Sequence, residues 1–175
     1  LFPEHKAFFQ SILERRAPLP LLTEALQHLT YYLHQHHDKK VIILLDEYDT
    51  PIHEAYLHGY YQDMMNFMRN FFAKSLKDNN CLQQAILTGI LRASKESIFS
   101  GLNHLKVYSV FGTRFGEFFG FTQPETATLF KNAGLEDRMP EIEAWYNGYK
   151  IAGTTIYNPW SILHCIDQRG LKQPY

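Results

Sequence analysis

Residues 41–51 read VIILLDEYDTP, and no other stretch restricts the fold as tightly. Five consecutive β-branched or leucine side chains with no polar alternation fit a strand covered on both faces, the usual condition of a parallel sheet. Lys39 and Lys40 lead into it, and the Asp-Thr-Pro of residues 49–51 ends it. Asp46 and Glu47 therefore stand where a buried strand meets solvent. A carboxylate there is costly to bury unless something pairs with it.

The strand has a partner in the sequence. Residues 61–77 form the clearest helix, with Tyr61, Met64, Met65, Met68, Phe71, Phe72 and Leu76 on a broad apolar face. The polar run Lys77–Asn80 turns the chain into a second strand, Leu82–Thr88, which Gly89 stops. Strand, helix, strand in that order predicts a right-handed crossover between parallel strands. Ligands of such sheets bind at the carboxyl ends of the strands, the end that carries Asp46, Glu47 and Thr88.

Elsewhere the pattern predicts a helix over 4–16, closed by Pro18 and Pro20. A second, capped by Thr23, runs to about His37 with Leu22, Leu26, Leu29 and Leu33 on one face. Residues 92–104 read as a structured loop or short helix and 107–111 as a third strand. Further helices are expected from Pro124 to Asn132 behind a Thr122 cap, over 140–146, and from Asn158-Pro159 to about Asp167. There is no internal repeat, low-complexity tract or clear linker.

Composition narrows the function classes. The chain has 175 residues, 45% apolar and 20% charged, with 13 Phe and 11 Tyr that suggest a compact aromatic-rich core. A net charge of −1 gives no basic footprint, so nucleic acid is not supported as a partner. Cys81 and Cys165 form no CxxC and read as reduced thiols. No apolar run approaches the roughly 18 residues of a membrane helix, and no charged segment precedes a hydrophobic stretch at the start. These features predict a cytoplasmic protein without a membrane partner. The opening at Leu1 rather than Met leads one to expect residues upstream.

Asp46 at the strand tip suits a magnesium ion carried by a nucleotide, and Glu47 could polarise a water for attack on the terminal phosphate. The alternative is a strand ending in a solvated acidic turn, and spacing alone does not decide between them. In AILTGILR (85–92), the Thr88 hydroxyl could reach a phosphate oxygen or the attacking water, and Arg92 could neutralise phosphate charge. On those residues alone, a plain Thr-Gly strand terminus with a surface arginine is the better reading. His34, His37 and Asp38 sit at i, i+3 and i+4, but no second cluster completes a metal site, so they read as a solvated helix end. The aromatic segment 145–163 lacks interleaved basic residues and reads as packing rather than a base-stacking platform. Neither GxGxxG nor GxxxxGK occurs in the 175 residues, and no Ser-His-Asp or Cys-His spacing stands out.

Taken in order, LLDEYDTPI (44–52), LTGILRASKESIFSGLN (87–103), FGFT (119–122) and WYNGYKIAG with IYNPWSIL (145–163) resemble the bacterial AAA-ATPase-like family. Its members carry an N-terminal ATPase-like domain, often followed by a PD-(D/E)XK nuclease-like domain. The resemblance runs from about Thr23 onward. It implies an α/β fold: a partial P-loop NTPase parallel sheet flanked by helices over residues 1–112, then a small helical lid-like region over 113–175. It makes Asp46 the magnesium-associated acid of the Walker B strand, Glu47 the water-polarising acid, Thr88 the polar sensor and Arg92 a phosphate contact. ATP and magnesium are the implied cofactors. Tyr48 and Asp49 match the motif without an implied role, and Asp49 reads as organising the turn before Pro51. His104 stands where the family usually has a second Asn. The family's phosphate-binding loop would lie upstream of residue 1, so the chain by itself is expected to bind ATP poorly. It would also present an unpaired apolar strand edge prone to self-association. Two functions follow: a contribution to ATP hydrolysis, or a nucleotide-responsive, vestigial or truncated module without its own activity.

Overall fold

The computed structural model describes residues 2–90, 98–99, 102 and 105–169. The chain divides into two compact units, Leu1–Leu105 and Lys106–Tyr175. The architecture is mixed α/β, with a parallel strand pair in the first unit and an antiparallel sheet in the second.

In the first unit, α1 (Pro3–Leu13), the single turn α2 (Leu19–Leu22) and α3 (Ala25–His37) lead to β1 (Val41–Leu45). Asp38 closes α3 in the left-handed conformation, φ 52°. Then come α4 (Thr50–Leu57), α5 (Tyr61–Leu76) and β2 (Leu82–Leu87). β1 and β2 pair in parallel, Ile43 opposite Ala85 and Leu45 opposite Leu87. Parallel neighbours require a crossover, and α4 with α5 supplies it. One stripe of α5, Met65, Met68, Phe72 and Leu76, packs with Ile43, Ile52, Ile98 and Leu102 into the core. Phe72 is 1% exposed; burying a side chain of that size is worth about 1.5–3 kcal/mol.

Three expectations need correction here. The strand pair is not covered on both faces: Ile42, Leu44 and Ile86 remain 52%, 74% and 48% exposed, since no described element packs on that side. On α3 the buried residues are Thr30 and Tyr32, while Leu29 and Leu33 are exposed. Thr23 does not cap α3; its hydroxyl donates to the Pro20 carbonyl at 2.6 Å, and Glu24 holds the cap position. Glu24 instead reaches α5, pairing with Lys74. α4 was not expected at all.

The second unit is more than helical. β3 (Phe121–Thr122), β4 (Tyr149–Ile151) and β5 (Thr154–Tyr157) form an antiparallel sheet in the order β3-β5-β4. Ala152 and Gly153, at φ 49° and 84°, make the two-residue turn between β4 and β5, the twist such hairpins favour. Residues 107–111 form no strand. α6 (Gln123–Asn132) opens on a capping box in which Thr122 and Glu125 satisfy each other's backbone N–H groups. α7 (Met139–Tyr146) and α8 (Pro159–Asp167) follow, α8 capped by Asn158, which accepts from the Ser161 N–H at 3.2 Å. Phe130, Ile142, Tyr146, Tyr157, Ile162 and Cys165 form this unit's own core. Among the described residues, no helix is long and apolar enough to cross a membrane.

Candidate functional site

The parallel ladder continues one step beyond both strands. The Thr88 N–H donates to the Leu45 carbonyl at 2.9 Å, and the Tyr48 N–H donates to the Thr88 carbonyl at 3.0 Å. These two bonds hold the 46–48 loop against Thr88. Asp46 Oδ1 accepts the Thr88 hydroxyl, and also the Glu47 N–H at 3.1 Å. That same N–H lies 3.4 Å from Thr88 Oγ1. The structure thus brings Asp46, Glu47 and Thr88 together, all three exposed to solvent. Arg92 lies outside the described residues, as do Asn103 and His104.

β1 ends at Leu45, so the two acids sit past the pleat and do not alternate along it as a continuing strand would require. Glu47 takes φ 51°, the left-handed region that a residue with a Cβ seldom occupies. Its Oε2 accepts the Thr50 hydroxyl at 3.4 Å. No lysine or arginine pairs with either acid among the described residues.

The donors present could hold a hard divalent cation. Asp46 Oδ2 receives no hydrogen bond from the described residues, and no group of three or more metal-ligating side chains occurs among them. Those residues form no closed protein cage at this junction. This arrangement suits magnesium, which takes one or two carboxylates and completes its shell with waters and phosphate oxygens. At the end of α3, His34 Nδ1 lies 3.0 Å from the Lys39 carbonyl oxygen.

The sequence carried no chemical expectation for two residues of the junction. Asp49 is 6% exposed and accepts the Ile90 N–H on Oδ2 at 3.0 Å. It therefore does more than shape its own turn, and it makes no side-chain cap bond to α4. Gly89 lies against it, such that a Cβ there would stand 2.6 Å from Asp49 Oδ1 and 2.8 Å from the Tyr48 ring. Tyr48 anchors this packing to the core through edge contacts with Phe99 and Phe72, ring centres 5.4 and 6.3 Å away. The signals were the acidic residue inside DEYD and a glycine directly after the strand threonine. Neither reveals a contact 41 residues distant.

A family model described as predicted AAA-ATPase matches residues 6–99, the segment that contains the whole junction. The chain belongs to this family. Among relatives of this predicted AAA-ATPase, an uncharacterized protein in the vnfD 5′ region of Azotobacter chroococcum mcd 1 is 34% identical over 141 residues. That alignment takes in 78% of this chain and 26% of the relative, so the chain spans about a quarter of that protein's length. No solved structure matches the chain.

Proposed function

We propose that the first unit supplies the acidic half of an ATP-hydrolysing site. The observation that carries this reading is the Thr88 hydroxyl, from the end of β2, bonded to Asp46 at the end of β1 with Glu47 beside them. Carboxyl ends of adjacent parallel strands are where α/β sheets bind nucleotides. Membership in the predicted AAA-ATPase family supports the assignment.

Asp46, with one carboxylate oxygen engaged by Thr88, would hold magnesium. When bound, that ion supplies charge stabilisation at the phosphoryl oxygens. Thr88 fixes the Asp46 rotamer and presents its oxygen toward the same edge. Glu47 accepts a proton from the attacking water on Oε1, the oxygen not engaged by Thr50, and its left-handed backbone aims the side chain. Catalysis of phosphoryl transfer is mostly positioning and electrostatics, which such groups provide. Arg92 is assigned a phosphate contact on the resemblance alone. The grip on the β- and γ-phosphates comes from backbone amides and a lysine in this enzyme class. No GxxxxGK lies within the 175 residues, so the isolated chain should hold ATP weakly.

Steady-state ATP turnover by the whole gene product, with magnesium, tests this. Glu47→Gln should lower kcat by about a hundredfold or more, the usual weight of a general base, while nucleotide binding persists. Asp46→Asn should raise the magnesium concentration needed for half-maximal turnover. Unchanged kcat in Glu47→Gln refutes the enzymatic reading; tight ATP binding with no turnover by the wild type would favour a nucleotide-responsive module instead.

A further inference from the structure

We infer that Asp49 is a positioning residue that sets the Thr88 hydroxyl against Asp46. Asp49 is 6% exposed, and its Oδ2 takes the Ile90 N–H at 3.0 Å. The backbone between, Thr88-Gly89-Ile90, is gripped at both ends: Thr88 by main-chain bonds to Leu45 and Tyr48, Ile90 by Asp49. Gly89 sits between the Asp49 carboxylate and the Tyr48 ring so closely that any Cβ would collide with both. Three residues held at two ends and pressed in the middle have little freedom to turn, and the Thr88 side chain points where that segment sends it. Asp49 touches no reacting atom in this account; it acts through Thr88. A carboxylate this buried is expensive unless its bonds are made, so its presence where a small polar turn residue would suffice is explained by the bond to β2's end.

The role rests on reading Asp46 and Thr88 as the phosphate-facing pair, but its test uses no nucleotide. Amide exchange and ¹H–¹⁵N spectra of the 175-residue chain are compared for wild type, Asp49→Ala and Asp49→Asn. The alanine variant should speed exchange at Ile90 by roughly tenfold or more, as expected for a lost bond to a charged acceptor. It should also shift the Glu47 amide, which hangs on Thr88 Oγ1 and Asp46 Oδ1. Asp49→Asn, which keeps an oxygen for Ile90, should restore both signals. An Ile90 amide that loosens while Glu47 stays unmoved, or an asparagine that restores neither, overturns the inference. Should the alanine variant not fold, Asp49→Gln carries the same comparison, because its longer amide misplaces the acceptor and should reproduce both changes. Displaced Glu47 signals with no ATP turnover by the whole gene product would sink the ATPase reading and leave the positioning role standing.

Discussion

Glu47 holds φ 51° with a full side chain in place, a conformation that costs an ordinary residue about 1–2 kcal/mol relative to glycine. Strain of this kind gathers at functional positions. Glu47→Gly should therefore raise unfolding stability by about 1 kcal/mol, measured by urea denaturation, while abolishing turnover; a destabilised glycine variant would show that the side chain is structural. Gly89→Ala should do the opposite, since its Cβ would stand 2.6 Å from Asp49 Oδ1. Overpacking at so tight a point should cost about 1–3 kcal/mol, and an unchanged denaturation midpoint would contradict the packing described. At this scale the sequence pointed to Asp46, Glu47 and Thr88, because the end of an apolar strand is visible in its own residues. It did not show Asp49's bond to Ile90 or Glu47's backbone, because neither a contact 41 residues away nor a dihedral angle leaves a local mark.

Elements with strong periodicity or explicit caps were readable in advance. β1 and α5 lie within a residue or so of expectation, and Thr122 and Asn158 cap the helices they were expected to cap. The short pieces were not: α4 follows directly on the DEYD turn, and β4 and β5 are 3 and 4 residues long, too short for alternation to register. The continuous apolar run of β1 suggested two covered faces, whereas Ile42 and Leu44 stand 52% and 74% exposed. A contiguous apolar patch of this kind promotes association. Replacing both with Thr should change unfolding stability by no more than about 0.5 kcal/mol and reduce concentration-dependent association in sedimentation; a large loss of stability would mean that the face is packed. Between α3 and α5, the hydrogen bond from Lys74 holds the Glu24 carboxyl below its ordinary range. A carboxyl lowered on folding stabilises above its unfolded value, and that contribution is lost as pH falls through the lower folded value. Glu24→Gln should therefore flatten the acid limb of the stability curve and change stability near neutrality by less than about 1 kcal/mol, as expected of a half-exposed pair. A mutant acid limb superimposable on the wild type's would contradict this.

For the whole molecule, the aromatic excess does not all go inward. Phe72 and Phe130 are buried, but Phe111, Phe118 and Trp160 are 96%, 75% and 66% exposed, so composition overstated the aromatic core. Among the described residues two hydrophobic clusters form, one in each unit, and the family match at 6–99 falls within the first unit. The central claim is that the Asp46–Glu47–Thr88 junction receives a metal-bound polyphosphate. It is tested most directly by titrating manganese-ATP into the whole gene product labelled at isoleucine methyl groups. Ile90, next to the junction, should broaden well before Ile12 on α1, and Asp46→Ala should remove the difference. Broadening that reaches Ile12 as early as Ile90, or that survives Asp46→Ala, would contradict it.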